Sequence, residues 1–178
     1  MTYNDSVKIL GFINVEGGLY RDGSIFKRLM GPVASKYRTI LVDPPSVDAF
    51  QENVLGFLHL CSEKLPPKLF RILLEGMIQQ PRRAAELVHQ RTHNPEKMMQ
   101  EARSGKLPLL AISGGKDNVV VAGEFKTVVE ASGWKELVYR HLEDADHIPW
   151  VSCPEEFRGV VLAWLKDLTR MEGESSVL

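Results

Sequence analysis

The chain has 178 residues, 44% hydrophobic and 25% charged, which suits a single globular domain that buries a core without disulfide or metal support. Its formal net charge of -1 gives no reason to expect nucleic acid or an anionic membrane as partner. Two cysteines, Cys61 and Cys153, are too few for a disulfide framework, and no apolar run is long enough to span a bilayer. The opening MTYNDSVKILGF lacks the pattern of a signal peptide, so the expected location is cytoplasmic.

In chain order, Val7 to Val15 is a short apolar run closed by Gly17-Gly18, and its continuity predicts a strand covered on both faces. Ser24 to Met30 predicts a helix that stops near Gly31-Pro32. Tyr37 to Val42 is β-prone or an extended loop, ended by Pro44-Pro45. Val47 to Cys61 has helical spacing at Phe50, Val54, Phe57, Leu58 and Cys61, with Ser46 or Asp48 as its cap. Pro66 or Pro67 opens the next helix, which carries Leu69, Phe70, Leu73, Leu74 and Met77 on one face. Pro81 to Gln90 and Glu96 to Ala102 predict two more. Proline-separated short helices of this kind fit a helical cap-like insertion over 19–105 better than a layer of a doubly wound sheet.

The segment from 106 to 170 reads more clearly, as a strand-helix-strand-helix core. Leu107 to Ser113 is a buried strand and Gly123 to Ser132 a helix. Glu136 to Leu142 is a second strand. Pro154 to Leu168 is an amphipathic helix, capped by Ser152, with Phe157, Val160, Val161, Trp164, Leu165 and Leu168 as its buried stripe. This order predicts an α/β fold with a parallel sheet. Ligands of such sheets bind beyond the carboxyl ends of the strands. Two loops fall there, Gly114 to Asn118 and Asp144 to Trp150. They bring Asp117 and His147 to the same end of adjacent strands, where a carboxylate can fix the tautomer of an imidazole acting as general base. Taken singly, Asp117 is equally a turn residue and His147 a structural loop histidine. Gly114-Gly115 and Gly17-Gly18 lack dinucleotide or Walker spacing, so no cofactor is expected. His59, His89 and His93 have no ligand spacing, so no metal is expected. Cys153 is close to His147 in sequence, but fits the approach to the last helix. Trp150 fits a pocket wall or a core or rim position.

The runs PLLAISGGKD, LEDADHIPW and PEEFRGVVLAWL resemble the C-terminal part of α/β-hydrolase fold proteins. The resemblance is strongest over 106–168. Val7 to Gly18 is similar to the family's strand after the nucleophile helix. By this likeness Asp117 is the triad acid and His147 the triad base. Asp146 stands where glycine is common. Asp144 and Asp146 are alternative acids on the wrong side of the histidine, and read better as solvated loop residues. The family's nucleophile motif, G-x-S-x-G, is absent from the chain, and Ser6, Ser24 and Ser113 lack the strand-turn-helix setting it needs.

The resemblance therefore implies a truncated α/β-hydrolase domain with acid and base but no nucleophile elbow. The implied activity is that of a serine hydrolase acting on a small-molecule ester or amide, once completed by a nucleophile half. The alternative is an inactive remnant serving as a binding or regulatory protein. A phosphate- or nucleotide-binding enzyme ranks last. A partial sheet also predicts an exposed edge and self-association into a homo-oligomer.

Overall fold

The computed structural model describes residues 9–18, 23–79 and 94–175. Three parallel strands form the sheet: β1 (Phe12–Val15), β2 (Leu109–Gly114) and β3 (Leu137–Leu142), in the order β1-β2-β3. Phe12 pairs with Leu109, and Leu109 in turn with Leu137. Among the described residues the helices between β1 and β2 are α1 (Gly23–Leu29), α2 (Pro32–Val42), α3 (Val47–Cys61), α4 (Pro67–Gln79) and α5 (Glu96–Ser104). Next come α6 (Ala122–Glu130), between β2 and β3, and α7 (Pro149–Ser152) and α8 (Pro154–Ser175) after β3. The sequence reading of Pro81 to Gln90 as a helix lies outside the described residues.

The fold is built around β2, whose six residues are all buried. Alternation sends Leu109 and Ala111 to one face, where Phe125, Val128 and Val129 of α6, Met99 and Ala102 of α5 and Leu29 of α1 cover them. Leu110 and Ile112 meet Trp164 and Leu168 of α8 on the other face. The sheet is thus a layer between helices, as the α/β pattern after residue 106 implies. Glycine ends α5 as expected: Gly105 has φ 82°, a left-handed conformation that side chains disfavour, and its N–H returns to the helix carbonyls.

Four expectations need correction. Among the described residues the first strand is Phe12–Val15, shorter than the apolar run; Phe12 and Val15 pack against the core on opposite faces, but Ile13 is exposed, as are Ile9 and Leu10 before the strand. Among the described residues β1 pairs with β2 alone, so its continuous apolar character belongs to an edge. The β-prone Tyr37 to Val42 is the C-terminal half of α2. Gly31 in an extended conformation and Pro32 in the first turn start this helix, and Ala34 anchors it fully buried. Tyr37 then lies so close to Gly56 of α3 that a Cβ there would fall 2.5 Å from its ring; tertiary packing overrides the local preference. Ser152 does not cap the last helix. It is buried inside α7, its hydroxyl accepting the Asp146 N–H at 3.0 Å and facing the Ile148 carbonyl at 3.3 Å. Leu165 is exposed, so the stripe of α8 rests on Trp164 and Leu168, with Phe157, Val160 and Val161 partly buried beside them. The stripe of α4 also contains no fully buried residue, whereas Ser46 does cap α3, accepting the Ala49 N–H at 3.1 Å. Among the described residues no helix is long and apolar enough to cross a membrane.

Candidate active site

Each strand hands one ionisable residue to the same end of the sheet: Glu16 follows β1, Asp117 follows β2 and His147 follows β3. Asp117 is fixed by its own loop. Its Oδ1 accepts the N–H groups of Val119 and Val120 at 2.6 and 3.0 Å, a turn geometry typical of aspartate. That loop is tied to α1 by Gly31 N–H to Val119 O at 2.8 Å and Val121 N–H to Leu29 O at 2.8 Å. Oδ2 is left to face His147 Nδ1 at 3.0 Å. The turn role and the imidazole contact thus belong to the same carboxylate, one oxygen each.

The His147 loop is equally constrained. Asp146 Oδ1 accepts the Ile148 N–H at 2.9 Å, and Oδ2 accepts the Ser62 hydroxyl at 2.5 Å. The expectation that Asp146 is a solvated loop residue is therefore corrected: it braces the turn that presents His147 and links it to the end of α3. Asp144 does lie at the surface, paired with Lys116 at 2.5 Å. A polar hollow of about 490 Å³, lined by His59, Ser62, Lys64 and Lys116 among others, borders this loop at Asp146.

Gly114 and Gly115 serve close packing, not a phosphate. Gly115 N–H bonds Leu142 O and Lys116 N–H bonds Ala145 O, both at 2.8 Å, so the loops after β2 and β3 interlock. A Cβ on Gly115 would lie 2.4 Å from Glu143 O, and one on Gly114 would lie 2.5 Å from Ala145 O.

Sequence reasoning overlooked Glu16. Its side chain is 1% exposed; one oxygen, Oε1, accepts the Gly114 N–H, and the other, Oε2, stands 3.3 Å from His147 Nδ1. That second contact is an ion-pair distance without hydrogen-bond alignment, and Oε2 has no hydrogen-bond partner. Burial pushes the Glu16 carboxyl up to about 8. Burial also works against ionisation of Asp117 and His147. For both, their mutual contact and the Glu16 carboxyl beside them prevail, so the Asp117 carboxyl stays below its usual range and the imidazole rises to about 9. These shifts favour the charged imidazole, the ionised Asp117 and the neutral Glu16. The signal for Glu16 was available: an acid directly after an apolar strand run, in the same relation to β1 as Asp117 to β2.

The donor atoms of Glu16, Asp117 and His147 lie within 4.8 Å of one another, close enough to hold a metal ion. Nδ1 is already committed to Asp117 and Oε1 to Gly114, however, so the set as arranged is a proton-sharing cluster. Of the other nucleophile candidates, Ser6 lies outside the described residues, whereas Ser113, Cys61 and Cys153 are among them. Ser113 is buried in β2 against Tyr139 OH at 2.5 Å and His141 Nδ1 at 2.9 Å. Burial, with the charges of Asp117 and Asp146, pushes the Cys61 thiol up to about 12. Cys153 packs with the α8 side of the core, and Trp150 is exposed on the rim against Phe157.

Neither a family model nor a curated protein matches this chain. Solved structures do. An esterase from a Rhodococcus species superposes with a TM-score of 0.70 at 16% identity, over 89% of this chain and 56% of that one. For a carboxylesterase from Bacillus subtilis the TM-score is 0.59 at 15% identity, over 87% and 51%. For MenH from S. aureus it is 0.57 at 16% identity, over 93% and 62%. The chain has the α/β-hydrolase fold, and it spans about half the length of the solved structures it matches.

Proposed function

We propose that this chain is the acid-and-base half of a serine hydrolase acting on a small ester or amide, its nucleophile supplied by a segment that the chain does not contain. The observation that supports it most is the 3.0 Å contact of Asp117 Oδ2 with His147 Nδ1 at the ends of adjacent parallel strands. In that geometry Asp117 holds the Nδ1 proton, so Nε2 is the nitrogen left for the reacting group. Deprotonated at Nε2, His147 takes the proton of an attacking hydroxyl and later returns it to the leaving group. The esterase neighbours, each matched over about half its length, favour a missing half that carries the early strands, the oxyanion donors and the serine. The helical segment 19–105 then acts as the cap that shapes substrate access.

One observation favours a non-catalytic binding protein instead: no G-x-S-x-G occurs anywhere in the chain, and Ser113 is buried within a strand. Hydrolysis of a p-nitrophenyl ester separates the two readings. A chain extended upstream through a nucleophile elbow should turn the ester over, and His147→Ala should reduce that turnover by ~10³-fold or more. An extended chain with no turnover, or one indifferent to His147→Ala, would favour the binding protein.

A further inference from the structure

We propose that Glu16 is a second positioning carboxylate for His147, so that two acids from two neighbouring strands, rather than one, hold the imidazole. Four features of the structure support this. The Glu16 side chain is 1% exposed, and its Oε2 lies 3.3 Å from Nδ1 with no hydrogen-bond partner, a costly arrangement unless that oxygen carries or shares a proton. Among the described residues Glu16 is the only non-glycine residue with positive φ, at 50°, a conformation that bulky side chains avoid and that is retained where surrounding structure enforces it. The turn is enforced: Glu16 N–H bonds Ile112 O at 3.0 Å, and the buried Asn14 side chain donates to Gly17 O at 2.8 Å. Space is reserved for the carboxyl as well, because a Cβ on Gly114 would lie 2.7 Å from Glu16 Oε1.

The ionisation of the cluster follows from this arrangement. Two carboxylates this close cannot both ionise cheaply in a buried site, so one keeps a proton. Asp117 has two backbone N–H donors and is the better anion; Glu16 has one and is buried by desolvation into the neutral form. Among the described residues the titratable groups facing the imidazole are these two acids. The Cys61 thiol, near Asp117 and Asp146, stays neutral, and Asp146 is held by Ser62 and Ile148. If Asp117 loses its charge, Glu16 can release its proton and replace it as counter-ion. Glu16 is therefore a positioning residue, acting on the reaction only through His147.

This inference rests on the acid–base reading of His147, but its test needs no turnover, so its failure leaves the hydrolase reading intact. The test follows the His147 ring protons by NMR against pH in the 178-residue chain, its Glu16→Gln and Asp117→Asn variants and the double variant. Glutamine keeps the side-chain volume and the acceptor for Gly114. The proposal expects Glu16→Gln to lower the His147 pKa by about one unit, tenfold in proton affinity. It expects Asp117→Asn to leave the pKa above that of the double variant, where it falls to the ordinary 6.5 or lower. Non-additivity of the two single changes is the signature of one acid standing in for the other. If a variant fails to fold, the imidazole ¹⁵N shifts of the wild-type chain decide instead. A protonated Nδ1 whose shift moves again as the Glu16 carboxyl titrates supports the proposal. A His147 titration unchanged by Glu16→Gln, with the whole effect in Asp117→Asn, would overturn it and leave Glu16 as a brace for Gly114. Saturable Zn²⁺ binding that is abolished by Glu16→Gln and displaces the Nδ1 proton would overturn it too, in favour of a metal site.

Discussion

Asp117 has two separable tasks, and two substitutions should divide them. Asparagine keeps an oxygen to accept the Val119 and Val120 N–H groups at 2.6 and 3.0 Å, but presents an amide in place of the oxygen that faces His147 Nδ1 at 3.0 Å. The loss is one charge-assisted hydrogen bond in a partly buried site, about 1.5–3 kcal/mol. Alanine removes the same contact and also strands the N–H groups of Val119 and Val120, which belong to residues only 6% and 8% exposed. An unsatisfied buried donor costs about 1–3 kcal/mol, so alanine should be the worse substitution by at least about 1 kcal/mol. Urea unfolding of the three proteins at pH 7, with midpoints and slopes fitted together, measures both differences. If both variants unfold within about 0.5 kcal/mol of the parent, the carboxylate is not holding either loop and the site geometry described above is wrong.

Three further outcomes follow. The imidazole is raised from 6.5 to about 9 in the folded chain, so its stabilisation is complete below pH 6.5 and is lost as pH climbs toward 9, worth about 3 kcal/mol. Glu16, raised from 4.5 to about 8, acts in the same direction, whereas Asp117, held below 3.8, loses its contribution only in acid. Unfolding free energy measured from pH 6 to 9.5 should therefore decline, and a flat profile would refute the assignment. Gly115→Ala, whose Cβ would meet Glu143 O at 2.4 Å, should cost about 1–3 kcal/mol and shift the His147 resonances; a neutral effect on melting would mean that the two loops are not interlocked. The side of β1 that pairs with no strand among the described residues, with Ile9, Leu10 and Ile13 exposed, should make the 178-residue chain self-associate in size-exclusion chromatography, and a clean monomer at high concentration would contradict that.

The region after residue 106 was readable because its signals agree at every level. LPLLAIS is continuous and apolar because β2 is covered on both faces, and the spacing of Phe125, Val128 and Val129 marks the face of α6 that covers it. The juxtaposition of Asp117 and His147 was legible because topology carries adjacent parallel strands to the same end. The first strand was readable as a strand but not in its extent, because the apolar run continues through Ile9 and Leu10, which lie before the paired residues. Tyr37 to Val42 misled because its β-branched residues are outweighed by the contact of Tyr37 with Gly56, nineteen positions away in sequence and invisible to a local window. Glu16 carried a signal, an acid directly after an apolar strand run, but its contact with the cluster depends on the room that Gly114 leaves it, which the fold shows.

Labelling with a fluorophosphonate tests the central claim, that this chain carries acid and base without a nucleophile, most directly. The probe reacts with a serine that a neighbouring base has activated, and neither His147 nor Asp117 supplies one. The 178-residue chain should remain unmodified under conditions that label a chain extended upstream through a nucleophile elbow, and that labelling should vanish in His147→Ala. Stoichiometric labelling of the 178-residue chain itself, abolished by His147→Ala, would reveal a working nucleophile within these residues and contradict the account.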